Sequence, residues 1–571
     1  MVFLVLGVGT VYLLTLPLGI GFGDSGTMAA AAVSLGIPHP PGFPAYVMLG
    51  HLFSLLPLGP LLWRLQLLSV LGAVGTVFVV YKISRSLPAA FLTAFFYGFW
   101  SQAGNVESYS LTFLAVFTLI WLAQSRLAGW LLGIILGLTA GFNPIGVVVI
   151  PVILYLFKLS KKTLIIFITA VPVAVLVYAY LPLRAVAHPF LNWGDPQTLP
   201  ALIKHLTGGG LNISSSTVIN GFTVSVRWFF DAWARFGLLA YSQLTPVVLG
   251  LSFLGMINLW QKQRRHFWLW TILLITNLTL AGIYISGNRD IWLIIGLTVL
   301  VIFAAEGIKR LGRWGTAVGI IALAIVVWIS APKILVRAKT DIAGQYLADL
   351  YRDLPENSIL IGGGETFNAL TLYAREAAKI RPDVIPVEMT IFYGQEWYRN
   401  NIKYQISNIK ITNQNAKYAD DLEFSRVLED FAMKNSGRPV FVTGYLLTQP
   451  VYANSLQPAY VPQNFRLRQK GLVYQLAKTD ALPVELENYP ADWKIDSYQE
   501  SNYRKALGLI TTEYAFALEK TGDYFLRLGE EKAAFDRFAR AARVNSQYFD
   551  QNRLREKIAR TTNPSAVPSE R

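Results

Sequence analysis

A long series of apolar segments, broken by short polar connectors, constrains this chain more than any other feature. We place the segments near residues 3–21, 62–82, 88–104, 109–125, 128–142, 145–158, 163–182, 237–260, 267–286, 291–308 and 314–331. A helix needs about 20 apolar residues to cross the hydrocarbon of a bilayer. Inside lipid every backbone polar group must find its partner within the structure, so each segment predicts a helix. About eleven spans follow, several of them short enough that their ends are soft.

The connectors alternate in charge. Lys82/Arg85, Arg126, Lys158/Lys161/Lys162, Lys262/Arg264/Arg265 and Lys309/Arg310/Arg313 fall in one set, with almost no acids. Asp24, Glu107, Asp195, Asp231 and Asp290 fall in the other. Short basic loops stay cytoplasmic, which predicts the N-terminus inside and residues beyond 332 outside a cell (inner) membrane. The net charge of +15 belongs largely to these clusters, so it reads as topology and implies no nucleic-acid partner. Only 15% of residues are charged, against about 25% in soluble domains, and the deficit lies before residue 332. The chain has no cysteine, which excludes disulfides, thiolate chemistry and a Cys-bearing zinc site. Residues 2–20 lack a basic start and a small-x-small end, so they predict an uncleaved first span.

The fold class expected is a polytopic α-helical membrane protein with a soluble C-terminal α/β and helical-repeat domain. The divisions predicted are 1–332 for the membrane domain, 333–500 for an extracytoplasmic α/β domain, and 501–571 for a helical module and tail. In the second, 359–363, 384–388 and 439–443 read as buried strands, with a helix over 365–380. In the third, 502–560 has the helix–turn–helix texture of a tetratricopeptide pair. Two outer loops are long. Residues 22–61 predict a pair of weakly amphipathic helices lying along the interface. Residues 183–236 predict a re-entrant or lid-like loop, since a structureless loop of that length is unusual.

Candidate chemistry collects on the outer side. Asp24, in GFGDSG, is either a catalytic acid or the N-cap of a helix starting at Ser25. His39 sits in Pro38-His-Pro-Pro-Gly-Phe-Pro44, whose prolines stiffen the backbone. It reads as an acid–base or phosphate contact, or as part of a plain linker. Glu107 occupies an outer turn at a depth similar to Asp24, as a second carboxylate or an unrelated loop acid. Arg184, Arg289 and Asp290 stand at span ends, where an arginine is a snorkelling anchor or a phosphate ligand. Gly362-Gly-Gly-Glu365 reads as a tight turn before it reads as an anion site. The sequon Asn212-Ile-Ser214 matters only if the cell glycosylates.

The order of segments carries a resemblance. Asp24-Ser-Gly is followed by LGIPHPPGFPAY, by Arg64 with Ser69, by FYGFWSQAGNVESYSL at 96–111 and by YLPLRA at 180–185. FLNWGDPQTL at 190–199, with Asp195 and then HLTGG, and GNRDIWLI at 287–294 complete it. The chain resembles membrane proteins long catalogued as a domain of unknown function and related to the protein O-mannosyltransferases, with the GT-C glycosyltransferase fold. YAREAAKIRPDVIPVE and EWYRNNI resemble that family's outer domain.

The resemblance implies an inverting transferase. It would pass a hexose such as mannose from a polyprenyl-phosphate donor in the bilayer to a protein or glycan acceptor on the outer face. Asp24 matches the expected base and Glu107 stands as second acid, because Thr27 replaces the acid usual after DSG. His39, Arg64, Arg184, Asp195, Arg289 and Asp290 would hold the donor, with a divalent cation as an open question of cofactor. The glycine–asparagine–histidine segment is altered to Gly141-Phe-Asn-Pro144. Two other readings stand beside it: a lipid-linked-sugar flippase, which predicts ionisable residues near mid-bilayer, and a non-catalytic anchor for the tail.

Overall fold

The computed structural model describes residues 1–125, 127–208, 218–219, 222–223, 226–283, 289–405, 428, 431, 438–448, 465–478 and 504–562. The sequon at Asn212 lies outside them. The chain divides into two compact units, Met1–Asp341 and Ile342–Arg571.

The first unit is helical. In chain order the helices are α1 (Val2–Leu14), α2 (Ser25–Ser34), α3 (Pro44–Ser54), α4 (Leu61–Ser84), α5 (Leu87–Phe95), α6 (Tyr97–Ala103), α7 (Tyr109–Ala123), α8 (Gly129–Phe142), α9 (Ile150–Phe157), α10 (Lys161–Tyr178), α11 (Tyr180–Ala185) and α12 (Leu199–Leu206). The unit continues with α13 (Val226–Lys262), α14 (Arg264–Ile283), α15 (Arg289–Trp292), α16 (Ile294–Arg310) and α17 (Gly315–Lys339). Between α12 and α13, Val218–Ile219 and Phe222–Thr223 form a short antiparallel ladder, β1 and β2.

Among the described residues six helices are long and apolar enough to cross a membrane: Leu61–Ser84, Lys161–Ala185, Phe229–Lys262, Arg264–Ile283, Arg289–Arg310 and Gly312–Tyr351. Four shorter apolar helices, Val2–Leu14, Tyr109–Ala123, Gly129–Phe142 and Pro144–Phe157, accompany them. The segment expected at 88–104 is two short helices, because Phe96 takes an extended conformation (φ −70°, ψ 140°) between α5 and α6. The helix of the last span does not stop at 331 but runs through Pro332 to Lys339.

Burial explains the arrangement. α16 is buried at nearly every position and forms the centre of the bundle, as an all-round apolar helix must. Leu164, Ile168, Val171, Val175 and Leu176 of α10 are exposed, the surface a lipid-facing helix presents. Gly129, Gly133 and Gly137 repeat every fourth residue along α8 and face the carbonyls of Lys162, Ile166 and Ala170 of α10. Small residues at that spacing let two helices approach closely where no hydrophobic effect drives them together.

The first outer loop departs from expectation. Its two helices, α2 and α3, are present, but α2 is buried from Ser25 to Ala32 on all sides. An interfacial helix keeps a wet face. Ala29 to Ala32, with side chains too small to hold neighbours apart, instead allow α2 to sit inside the protein.

The second unit is built on a five-stranded sheet of order β4-β3-β5-β7-β6. The strands are β3 (Ile359–Gly362), β4 (Ile385–Glu388), β5 (Val440–Thr443), β6 (Phe465–Lys470) and β7 (Val473–Lys478). β3 runs parallel to β4 and β5, β5 runs antiparallel to β7, and β6–β7 is a hairpin. β3, β4 and β5 are buried at every position, as strands covered on both faces are. Helices Arg504–Arg527, Glu531–Val544 and Gln551–Thr562 pack around Ala515, Leu518, Ala534, Phe538, Ala541 and Phe549.

Candidate active site

Asp24 stands at the start of α2 in the N-cap position, yet its side chain makes no capping hydrogen bond. Its Oδ2 lies 3.6 Å from Nε2 of His39 instead, with both side chains about one-fifth exposed. That separation is an electrostatic contact rather than a hydrogen bond. The proline ridge carries His39 between α2 and α3, and its ring meets Phe43 at 5.1 Å and Trp193 at 6.2 Å, both edge to face. A carboxylate, an imidazole and an indole therefore converge at a partly open surface.

The ridge is tied to the second outer loop through its backbone. Ile37 N donates to Leu191 O (2.7 Å) and Trp193 N donates to Ile37 O (3.0 Å), a parallel bridge between Ile37 and Asn192. Asp195 organises this loop. Its Oδ1 accepts from Asn192 Nδ2 (2.8 Å) and Gln197 Nε2 (3.0 Å).

Beneath the junction lies His205 of α12, 2% exposed. Gly42 and Gly194 flank its ring: a Cβ on Gly42 would stand 3.0 Å from Nε2, and one on Gly194 2.9 Å from Nδ1. Both glycines also hold positive φ, +92° and +75°, a region other residues adopt only at a cost. The ring nitrogens have no hydrogen-bond partner among the described residues. Burial, with the charge of neighbouring His39, holds His205 down at about 3, so it is a neutral imidazole. The HPPG and NWGD segments thus meet on one buried histidine.

Glu107 reaches the site from below. It is 5% exposed, and its Oε1 accepts from Ser25 Oγ at 3.0 Å, one residue beyond Asp24. Tyr46 of α3 is buried nearby, and burial followed by the Glu107 charge pushes its phenol up. The turn holding Glu107 is fixed along its length. Ser69 Oγ donates to Asn105 O, Arg337 NH2 donates to Asn105 Oδ1 (2.6 Å), and Asn143 Nδ2 donates to Ser108 Oγ (3.1 Å). The asparagine of the altered Gly141–Pro144 segment has this job.

The arginines are placed differently. Arg184 Nε and NH2 donate to Leu35 O (2.6 Å) and Ser34 O (3.0 Å), at the negative end of α2. Arg64 NH1 donates to Ser54 O and Leu56 O at the end of α3. Arg289 NH1 pairs with Asp231 Oδ2 at 3.0 Å, and Asp290 takes a two-pronged contact from Arg235. These last four form a second cluster on α13 and α15. In the second unit, the N–H of Gly364 in the GGGE turn donates to Glu388 Oε1 (2.8 Å). The turn therefore meets a carboxylate where an anion site would need a free donor.

Sequence reasoning named Asp24, His39 and Glu107 but missed Ser25, His205, Arg235 and Arg337. His205 sits in a segment already notable for its order, and Arg337 stands between Lys333 and Lys339 in a basic stretch that reads as the end of the last span. Neither signal says what the side chain will touch.

The fold is that of a multi-pass helical membrane protein, similar to the GT-C fold of ArnT. The crystal structure of ArnT from Cupriavidus metallidurans in the apo state superposes with a TM-score of 0.50 at 12% identity, over 83% of this chain and 97% of that one. In sequence the chain is similar to the protein O-mannosyl-transferases: residues 24–88, from Asp24 through α4, match the family described as protein O-mannosyl-transferase TMEM260 N-terminal domain. Mouse protein O-mannosyl-transferase TMEM260 is 25% identical over 448 residues, 68% of this chain and 62% of that protein. The Dictyostelium discoideum protein O-mannosyl-transferase tmem260 is 22% identical over 522 residues, 76% of this chain and 62% of its own length. The chain thus spans about three-fifths of the length of these curated relatives.

Proposed function

We propose that this protein is a membrane glycosyltransferase that moves a hexose, mannose by its likeness to the O-mannosyl-transferases, from a polyprenyl-phosphate donor to a hydroxyl on an outer-face acceptor. The observation that carries the reading is the Asp24–His39 contact at the mouth of the joined outer loops. A hydroxyl is a poor nucleophile near neutral pH, and a positioned carboxylate assists by taking its proton as attack begins. The acceptor oxygen then bonds to the sugar C1 while the bond from C1 to the phosphate oxygen breaks. The proton ends on Asp24 and polyprenyl phosphate leaves, with inversion at C1.

The leaving phosphate needs positive charge. Arg289 is our first candidate, because its partner Asp231 is half exposed and so open to solvent on one side. A phosphate could approach the guanidinium from that open side. Trp193, on the wall beside His39, offers a flat apolar face suited to a sugar ring. Among the described residues no group of three or more His, Asp or Glu could hold a metal ion. The positive-inside reading of the basic connectors puts this face outside, with the N-terminus in the cytoplasm.

The test is direct. The full-length chain in nanodiscs is given a short-chain polyprenyl-phosphate mannose and a serine/threonine-rich peptide, and peptide mannosylation is followed by mass spectrometry. Transfer supports the reading, and its absence with a folded protein counts against it.

A further inference from the structure

We infer that Arg337, on the last turns of α17, is a positioning residue for Asp24, acting through the turn that carries Glu107; this rests on the transferase reading above.

The guanidinium is buried, 5% exposed. It donates from NH1 to Ser101 O at 3.2 Å and from NH2 to Asn105 Oδ1 at 2.6 Å. A buried cation is retained only where its surroundings satisfy it, and here the surroundings are the polar turn beneath the candidate site. Asn105 and Glu107 share one turn, and Asn105 Oδ1 and Ser25 Oγ both approach Gly21, at 3.4 Å and 2.9 Å from a Cβ built there. Ser25 Oγ donates in turn to Glu107 Oε1, and Ser25 follows Asp24 directly in the chain. The path therefore runs from Arg337 to Asn105, along the backbone of the Asn105–Glu107 turn, and through the Ser25–Glu107 hydrogen bond to the first turn of α2.

The path explains a feature that direct catalysis by Glu107 does not. Glu107 is buried and accepts from the Ser25 hydroxyl, whereas Asp24 is partly open. A carboxylate so enclosed suits holding a turn better than meeting an acceptor. The directional donors of Arg337 fix Asn105 and the carbonyl of Ser101, and so the turn that carries Glu107. Lysine, a point charge with one ammonium, can restore the charge but not both donor directions.

The inference is tested in nanodiscs with the same donor and peptide, measuring kcat and donor KM separately and melting each variant as a control. Displacing a catalytic group by about 1 Å costs on the order of 100-fold. Arg337→Gln is expected to lower kcat about 10- to 100-fold with donor KM near wild type, and Arg337→Lys to recover part of the loss. Ser25→Ala is expected to lower kcat in the same way. The double variant Arg337→Gln/Ser25→Ala should be little worse than the lower single, since both act through one path. Wild-type kcat in Arg337→Gln, a change confined to KM, or losses that multiply in the double variant would overturn it. If Arg337→Gln does not fold, Ser25→Ala decides: a wild-type kcat there is equally contrary. An inactive wild type, or full activity in Asp24→Asn, would instead count against the transferase reading itself.

Discussion

The imidazole of His205 lies between Gly42 and Gly194, so the two most distinctive outer segments close on one ring. This contact makes the outer loops a single construction. It also accounts for glycine at both positions, where a side chain would meet the ring and the backbone would be strained.

Gly194→Ala should therefore destabilise by about 1–3 kcal/mol, combining positive φ with overpacking. Thermal melting in detergent would show a lowered midpoint. His205→Ala on that background should recover the packing part but not the backbone part. Additive losses would mean that ring and Cβ do not meet.

Arg184 is expected to act on stability first. Its two donors hold carbonyls at the end of α2, and charged hydrogen bonds contribute about 1.5–3 kcal/mol each. Arg184→Gln should lower the melting temperature while leaving donor KM near wild type. A raised KM with unchanged melting would return Arg184 to the donor phosphate.

The second unit carries a titration that can be tested separately. Burial pushes the Glu513 carboxyl up to about 7, although Tyr346 OH (2.7 Å) and Tyr445 N (3.2 Å) donate to it. A carboxyl raised in the folded state favours the protonated form. Its contribution is thus fully present below about pH 4.5 and lost as pH rises through about 7. Hydrogen exchange of residues 359–362 and 440–443 in the full chain should show weaker protection above pH 7 than below pH 5. Glu513→Gln should flatten that dependence, and an unaltered profile would contradict it.

Much of the architecture was legible because hydropathy and lipid leave a chain few choices. Most helices from Leu61–Ser84 to Gly315–Lys339 sit on predicted apolar runs, although α12 and the start of α13 at Val226 fall inside 183–236, read as a loop, and buried strands at 359–362, 385–388 and 440–443 follow short β-rich runs. What escaped was set by tertiary contact. The break at Phe96, the complete burial of α2 and the reach of Arg337 to Asn105 depend on partners far away in sequence. The same holds at the site. Asp24 and His39 were visible as chemistry, but nothing local distinguished an N-cap from a carboxylate turned toward an imidazole. Arg289 and Asp290 stand side by side in sequence, yet each is committed to a different residue of α13.

His39→Ala should lower kcat about 10-fold without abolishing transfer, since its contact with Asp24 is electrostatic and long. His39→Gln, which keeps a polar side chain on the ridge, should fall between the two. Equal loss in His39→Ala and Asp24→Asn would make the imidazole, not the carboxylate, the proton acceptor.

The central claim is that the Asp24 carboxylate takes the acceptor proton. Asp24→Asn keeps the size of the side chain and removes its basicity, so peptide mannosylation in nanodiscs should fall by about 100- to 10,000-fold with melting unchanged. Wild-type transfer by a folded Asp24→Asn protein would contradict the account.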